Sequence, residues 1–515
     1  MKETIESILI AFILAFVFRS YVLEAFVIPT GSMASTLMGA HTRHTCPDCN
    51  YPFEVNVPTN GDNPIPSATS VYPNIYCPNC GFQLLRRQKD APPVPVHYGD
   101  RILVQKYIYL VQEPSRWDVV VFKSPYEPRT HNYQQNYIKR LVGLPGESVM
   151  ILDGDLFTKR DTDPDWLIQS KPWSVQQALW RVVYDNDHRP QGLERGTRKW
   201  QQPWKPEAGG TGWTTADSSG FVFNNPSGSA ALSFDAQATE TSHSFNDYLV
   251  YDTDTDERHY RAPTTGPDAR EPVRLNPVSD IMLRCFYERT AGDGPMQLEL
   301  GKGVDTFIAE LTPGRARLLV RRSGGATQEL ASTDLTTPAG RPIFIEFLNV
   351  DHRVSLRLDR REVLATTREQ YAPDVARLME DFNSRRDQPY GSARLVAANQ
   401  SSRLTHVSLW RDVFYTNTIH GDGGPMSWAM PDRPVDLGAG EYFVLGDNSF
   451  SSADARYWTS PINLPAEDLS VLAGRVPARF MLGRAFFVYW PAGFTPIDAR
   501  VPSIIPNFGS MRFIH

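Results

Sequence analysis

Four of the five cysteines in this chain fall into two Cys-x-x-Cys pairs, Cys46-Pro47-Asp48-Cys49 and Cys77-Pro78-Asn79-Cys80, and Gly81 follows the second. Few features restrict a fold more. Four thiolates on two tight turns can be brought to one point and close a tetrahedral zinc site with no open position. The pattern predicts a zinc-ribbon-like insert over residues 46–96, with Cys46, Cys49, Cys77 and Cys80 as ligands of a structural zinc. Two disulfides are the rival reading. Redox catalysis is a third, and it lacks the βαβ setting of thioredoxin-like motifs. The fifth cysteine, Cys285, sits in the apolar run Ile281-Met282-Leu283-Arg284-Cys285-Phe286 and reads as a small core residue.

At 515 residues the chain exceeds what one hydrophobic core supports, so two or three domains are expected. A hydrophobic share of 41% with 21% charged residues fits a folded chain rather than a disordered one. The net charge of −6 gives no basic footprint, so no nucleic-acid partner is expected. With 41 Pro and 35 Gly the sequence is turn-rich, which favours β architecture.

Ile8 to Phe18 is an unbroken apolar run, and apolar character continues with interruptions to Ile28. The run alone falls short of the roughly 20 residues a membrane span requires. On hydropathy it reads as a buried core helix, a cleaved signal peptide or a spanning anchor. The signal-peptide reading has only Lys2 as its basic region, and no small-x-small site closely follows the run. A helix from Ile5 to Leu23 would place Arg19 near its end, where it can snorkel toward headgroups.

Three blocks carry candidate chemistry. Phe26-Val27-Ile28-Pro29-Thr30-Gly31-Ser32-Met33 directly follows the apolar segment. Asn136-Tyr137-Ile138-Lys139-Arg140-Leu141-Val142 sets a lysine in a strand-like run before a Gly/Pro turn. Gly446-Asp447-Asn448 precedes Ser451-Ser452-Ala453-Asp454-Ala455-Arg456. Singly, each is ordinary: a turn serine, an exposed strand lysine, a polar loop. Together and in this order they resemble the bacterial type I signal peptidase family. Gly99–Lys106 and Arg116–Lys123 match the family's strands between the Ser and Lys blocks. The resemblance covers about 1–45, 97–150 and 440–490.

That resemblance implies a membrane-bound serine endopeptidase that removes signal peptides from secreted preproteins, cleaving after small residues in Ala-x-Ala-like sites. It implies Ser32 as nucleophile and Lys139 as general base, with no cofactor for catalysis. Thr30 matches an oxyanion donor beside the Ser32 amide, and Ser452 the hydroxyl that helps hold the lysine. Asp447, Asp454, Arg140 and Arg456 match the charged scaffold. Phe26, Ile28, Pro29, Met33 and Leu37 match the lining of the substrate pockets. The chemistry is coherent: a serine hydroxyl needs a base, and a lysine serves only when neutral, which takes its pKa from about 10.4 toward 7–8 by burial. For the N-terminus the resemblance implies a retained single-pass anchor, residues 1–25, with the catalytic domain outside the cytoplasmic membrane. The lipid bilayer is then a partner. Thr30 stands where Ser is common, Ser35 where Pro is usual, Trp117 where Gly is usual, and Thr459 where Gly often ends the last block. None of these departures removes a catalytic group.

From about residue 155 to 440 the chain leaves this pattern. Val354, Leu356 and Leu358 alternate with Ser355, Arg357 and Asp359, as a half-buried strand does, and Ile343–Leu348 precedes them across a polar turn. Gln297–Leu300, Ala316–Val320 and Val407–Trp410 add strands. Repeated short strands predict a β-sandwich, loosely similar to laminin-G or concanavalin-type jelly rolls. The acidic run from Asp252 to Glu257 lacks the EF-hand pattern and reads as a solvated turn.

The expected fold is mainly β: an all-β signal-peptidase-type core (26–45, 97–154, 440–515) with an N-terminal transmembrane helix, an inserted zinc ribbon (46–96) and an inserted sandwich (155–439) whose ligand is unknown. A surface carbohydrate- or protein-binding module on a vestigial peptidase core is the alternative, and the intact Ser32, Lys139 and Ser452 weigh against it. A self-cleaving Ser–Lys repressor would need a DNA-binding helix-turn-helix where the apolar run stands.

Overall fold

The computed structural model describes residues 2–57, 75–84, 96–125, 135–192, 200–216, 220–236, 245–249, 251–252, 275–384, 389–416, 427–464, 469–493 and 507–515. Strands dominate, as the turn-rich composition predicts. One eight-stranded sheet orders Leu23–Val27, Arg101–Gln105, Met481–Trp490, Val119–Lys123, Asn136–Gly143, Glu441–Leu445 and Val476–Pro477, with Arg512–Phe513 added on Met481–Trp490. Val119–Lys123 reads Val-Val-Val-Phe-Lys and is buried at its first four positions, as a central strand covered on both faces must be. The Ser block, Ile28 to Leu37, leaves the edge strand and folds back across the sheet. Ile28, Met33 and Leu37 pack there with Val119 and Val121, and Ile138 joins from the lysine strand. Apolar packing thus brings three distant stretches of sequence together.

A second sheet of four strands stacks Leu167–Ile168, Asp155–Lys159, Ser148–Leu152 and Val435–Asp436. The largest sheet has thirteen strands and lies between Arg181 and Arg411. Its axis is the long strand Ser392–Arg411, which pairs with Gly220–Phe234, Met296–Lys302, Ile281–Gly292 and Arg181–Asp185. The ends of this sheet, Thr327–Asp334 and Arg361–Ala365, touch one another, so the sheet folds over onto a single core. Inward side chains such as Leu298, Leu300, Leu356, Leu395 and Leu409 are fully buried; Ser355 and Arg357, expected on the solvent face of a half-buried strand, are buried as well, so that strand is covered on both faces. Cys285 lies in this core, and burial pushes its thiol up to about 12, where it is inert.

Buried charges join this large sheet to the rest. Lys171 donates to Asp351 and forms an ion pair with Asp412 at 2.8 Å, all three almost completely buried. Lys302 meets Asp280 and, at 3.7 Å, Asp155 of the four-stranded sheet. Three of these carboxylates, Asp155, Asp280 and Asp351, are close enough to suggest a cation site. The two lysine ammoniums already occupy that electrostatic role.

The cysteine segment also folds. His41–Thr45, Pro52–Asn56 and Val96–His97 form a three-stranded sheet, and Ile75–Tyr76 pairs with Gln83–Leu84. The residue before the second cysteine of each pair anchors it to the large domain. Asp48 accepts from the amides of Gln191 and Gly192 at 3.0 Å, while Asn79 donates to the His188 carbonyl at 2.8 Å.

The transmembrane anchor expected over residues 1–25 requires correction. Those residues form a helix, Lys2–Tyr21, and strand geometry begins at Leu23. Among the described residues no helix is long and apolar enough to cross a membrane. Lys2, Glu3 and Glu6 occupy its first turns, so the unbroken apolar run Ile8–Phe18 covers roughly 16 Å of a hydrocarbon layer about 30 Å thick. Of the acidic run at 252–257, Asp252 is described and residues 253–257 lie outside the described residues.

Lys171→Met tests the charged joint. Removing the ammonium leaves Asp351 and Asp412 buried without it, and the expected loss is about 3–5 kcal/mol in denaturant unfolding.

Candidate active site

The strand Asn136–Gly143 is paired with Val119–Lys123 along its first half, setting Lys139 opposite Val120. Its second half pairs with Glu441–Leu445, so Gly446 to Arg456 emerges beside the lysine. On that floor the Lys139 Nζ donates to Ser32 Oγ at 2.6 Å across 107 positions of sequence. Lys139 is 5% exposed. Burial is the main force on it and lowers its pKa from 10.5 to about 8; Asp454 and Asp447 pull it upward and Arg456 pushes it down. The Tyr137 ring lies 5.9 Å from the ammonium.

Two buried arginine–carboxylate forks frame the pair. Arg140 donates Nε and Nη2 to the two oxygens of Asp447, both at 2.7 Å, and Nη1 to the Trp117 carbonyl at 2.8 Å. Arg456 grips Asp454 at 2.8 and 2.7 Å, and Asp454 also accepts from the Gly446 amide at 2.9 Å. Such bidentate pairs fix a plane as well as a distance. They hold the 446–456 loop against Ser32: the Asn448 amide donates to the Ser32 carbonyl at 3.0 Å, and the Asn448 side chain to the Gly31 carbonyl at 3.2 Å. Gly446 must be glycine here, because a Cβ would lie 2.1 Å from Ser452 Oγ and 2.5 Å from the Ser32 carbonyl.

The remaining expected residues distribute unevenly. Ser452 is buried in this loop, but its hydroxyl makes no hydrogen bond among the described residues. Thr30 precedes the short 3-10 turn Gly31–Met33, is exposed and forms no side-chain cap. Phe26, Ile28, Met33 and Leu37 share one apolar cluster under the serine, whereas Pro29 is exposed.

Three residues that the sequence gave no reason to place here also touch the site, Tyr251 and Arg181 at the serine turn and Asp252 at the 446–456 loop. The Tyr251 ring lies so close to Gly31 that a Cβ there would meet it at 2.4 Å. Asp252 accepts from the Asn448 side chain at 2.5 Å. Arg181 donates to the Ala34 carbonyl at 2.9 Å. All three belong to the long insertion, and their only sequence signal is a solvated-looking acidic run and one arginine among many.

The four cysteines converge as their spacing requires. Cys46 and Cys80 Sγ atoms are 3.7 Å apart, Cys49 and Cys77 3.6 Å, and all four lie within 4.8 Å of one another as free thiols. Thiolates at about 2.3 Å from a tetrahedral zinc stand roughly 3.8 Å apart, whereas a disulfide brings sulfurs to about 2.05 Å. The donor set therefore fits a closed four-thiolate metal site.

Two stretches of the chain, residues 83–164 and 390–490, match a protein-family model. The family is signal peptidase, peptidase S26. The matched stretches hold Lys139 and the 446–456 loop; Ser32 lies before them and joins the site only in the folded chain. Signal peptidase I of Pseudomonas aeruginosa is 40% identical over 87 residues, covering 16% of this chain and 26% of that protein. Its counterpart in Pseudomonas fluorescens is 45% identical over 88 residues, covering 17% and 27%. The chain thus spans about a quarter of the length of these curated relatives. Among solved structures, the carbohydrate-binding module CBM66 from Bacillus subtilis is similar at 12% identity and a TM-score of 0.25, covering 40% of this chain and 94% of that one. A Caenorhabditis elegans galectin, LEC-6, gives 12% and 0.19, covering 26% and 88%. Likeness this slight carries no argument about ligand.

Holding Lys139 in an apolar site has a stability cost that a neutral side chain escapes. Its folded pKa lies below the unfolded value, so the cost is full below pH 8 and fades as pH rises toward 10.5. Lys139→Met is expected to unfold at higher urea than the unaltered chain at pH 7, by up to about 3 kcal/mol. The advantage should vanish above pH 10.5.

Proposed function

We propose that this chain is a serine endopeptidase of the signal peptidase type, cleaving N-terminal leader peptides from exported preproteins with Ser32 as nucleophile and Lys139 as general base. The observation that carries this reading is the 2.6 Å contact of Ser32 Oγ with a lysine whose pKa is lowered to about 8.

Neutral Lys139 takes the Ser32 proton as Oγ attacks the scissile carbonyl. The oxyanion that forms faces the Ser32 amide, and Thr30 reaches it by a side-chain rotation. Collapse breaks the C–N bond, and the leaving amine of the mature chain takes the proton back from Lys139. Lys139, neutral again, takes a proton from water as the water attacks the acyl ester; collapse breaks the ester C–O bond and Lys139 returns the proton to Ser32 Oγ. Arg140–Asp447 and Arg456–Asp454 act through the loop they stiffen. Ser452 helps hold the lysine once its hydroxyl turns toward it.

The substrate has a place to lie. Leu23–Val27 pairs with one described strand alone, and residues 136–139 are paired on one side only. An extended peptide added to these open edges gains main-chain hydrogen bonds, while Phe26, Ile28, Pro29, Met33 and Leu37 admit only small side chains before the cleaved bond. The apolar side chains exposed on the Lys2–Tyr21 helix give the chain a surface toward lipid. Zinc, held by Cys46, Cys49, Cys77 and Cys80, would fix the ribbon and take no part in the chemistry.

Ser32→Ala and Lys139→Ala should each lower kcat/KM for a preprotein at least about a thousandfold. For the unaltered chain, kcat/KM should rise about tenfold per pH unit below 8 and level off above, following neutral Lys139. Full activity in either variant sinks the assignment. Elemental analysis of chain purified without chelator should find about one zinc per chain, and Cys77→Ser should lose it. Metal-free chain with no titratable thiols would favour disulfides instead.

A further inference from the structure

Like charges directly opposite on neighbouring strands repel, so such pairs are seldom kept without cause. Arg181 of the strand Arg181–Asp185 is paired directly with Arg411 at the end of Ser392–Arg411. Neither guanidinium meets a carboxylate among the described residues. Arg181 donates to neutral oxygens: Ser35 Oγ at 2.7 Å, the Ala34 carbonyl at 2.9 Å, and more weakly the Trp180 and Ala178 carbonyls. Arg411, only 4% exposed, donates to the Tyr248 carbonyl at 2.7 Å and the Asp412 carbonyl at 3.1 Å. The carboxylates nearby are engaged elsewhere: Asp247 by Asn276, Asp252 by Asn448, Asp412 by Lys171. Burial, and then repulsion by Arg181, lowers the Arg411 pKa to about 10, which leaves it charged at neutral pH. Asp252 and Asp412 pull both arginine pKa values upward through space, yet among the described residues neither the buried Arg411 nor the part-buried Arg181 bonds a carboxylate, so an anion reaching both would gain two direct partners.

Both arginines line one cavity of about 210 Å³, where the serine block, the cysteine ribbon and the large sheet meet. Tyr51, Trp180, Tyr251 and Trp410 give it aromatic walls, and among the described residues the solvent-exposed Glu54 is the one carboxylate on its lining. The Trp180 indole N–H is buried there with no hydrogen-bond partner among the described residues. Ala34 and Ser35, just past Ser32, form part of the same wall.

We propose that this cavity is a carboxylate-binding subsite that takes an acidic side chain from the preprotein beyond the scissile bond. The inference rests on the peptidase reading above. The tie to the substrate is the wall itself: Ala34 and Ser35, two and three positions after Ser32, line the cavity, and Arg181 donates to both. A carboxylate entering it would gain charge-assisted bonds from Arg411 and Arg181 in a water-poor setting. An anionic lipid headgroup offers similar chemistry, but it would not be tied to the wall that adjoins Ser32.

The test uses the full chain in detergent with preproteins that differ only in carrying Glu or Gln at one of the first five positions after the cleavage site. At one position or more, Glu should raise kcat/KM at least about tenfold over Gln, the worth of one charge-assisted hydrogen bond. Arg411→Gln should narrow that ratio to within about threefold, and Arg411→Lys should keep most of it. The ratio is independent of how much variant folds. Ser32-dependent cleavage with no Glu preference at any position overturns the subsite and leaves the peptidase reading intact. Cleavage that persists in Ser32→Ala overturns the peptidase reading itself. Loss of the preference on adding phosphatidylglycerol vesicles, but not phosphatidylcholine vesicles, would assign the cavity to lipid and overturn its assignment to substrate.

Discussion

An ammonium group removed from water is the constraint on which the rest of this molecule turns. Lys139 can accept a proton near neutral pH only if its surroundings disfavour its charge, and no residue beside it in sequence can supply enough of them. Its strand neighbours provide part of the wall. The Ser32 turn, folded back from the edge of the sheet, and the loop after Glu441–Leu445 provide the rest. The burial that lowers its pKa is therefore a property of the whole sheet.

A site with so many charges beside an apolar lysine stays ordered only if the other charges are matched. Arg140 with Asp447 and Arg456 with Asp454 are fully buried and fork-bonded, and each also anchors a backbone carbonyl or amide. Their fields on Lys139 oppose one another, Asp454 and Asp447 raising its pKa and Arg456 lowering it. Burial decides the balance. The same accounting holds where Lys171 and Lys302 meet Asp155, Asp280, Asp351 and Asp412 and join the thirteen-stranded sheet to the neighbouring four-stranded one. Against this background Arg181 and Arg411 stand out, since among the described residues neither bonds a carboxylate.

The long insertion is more than a passenger between the two matched stretches. Tyr251 and Arg181 reach the serine turn from it, Asp252 reaches Asn448, and the cysteine segment is clamped to it through Asp48 and Asn79. Ribbon, insertion and serine block close around one cavity. Part of this was legible beforehand: the alternation of Val354, Leu356 and Leu358 marked a strand, although Ser355 and Arg357 between them are buried too, because neighbouring segments cover both faces. The helix at the N-terminus was legible as a helix, yet among the described residues no helix is long and apolar enough to cross a membrane. Ser452 and Thr30 were legible as hydroxyls, but which way a hydroxyl points is settled by local packing, and neither bonds Ser32 or Lys139 here.

By itself the sequence determined the chemical types and their order: four thiols at ribbon spacing, a serine after an apolar run, a lysine in an apolar strand, two arginines and two aspartates in the matching blocks. Those depend on local spacing, which the chain carries from residue to residue. Only the tertiary structure decided what the groups experience. The lysine's pKa depends on walls drawn from far along the chain, and the opposition of Arg181 to Arg411 depends on the register of two strands that start more than two hundred positions apart. Burial and strand register are set by long-range packing, and no window of sequence contains them.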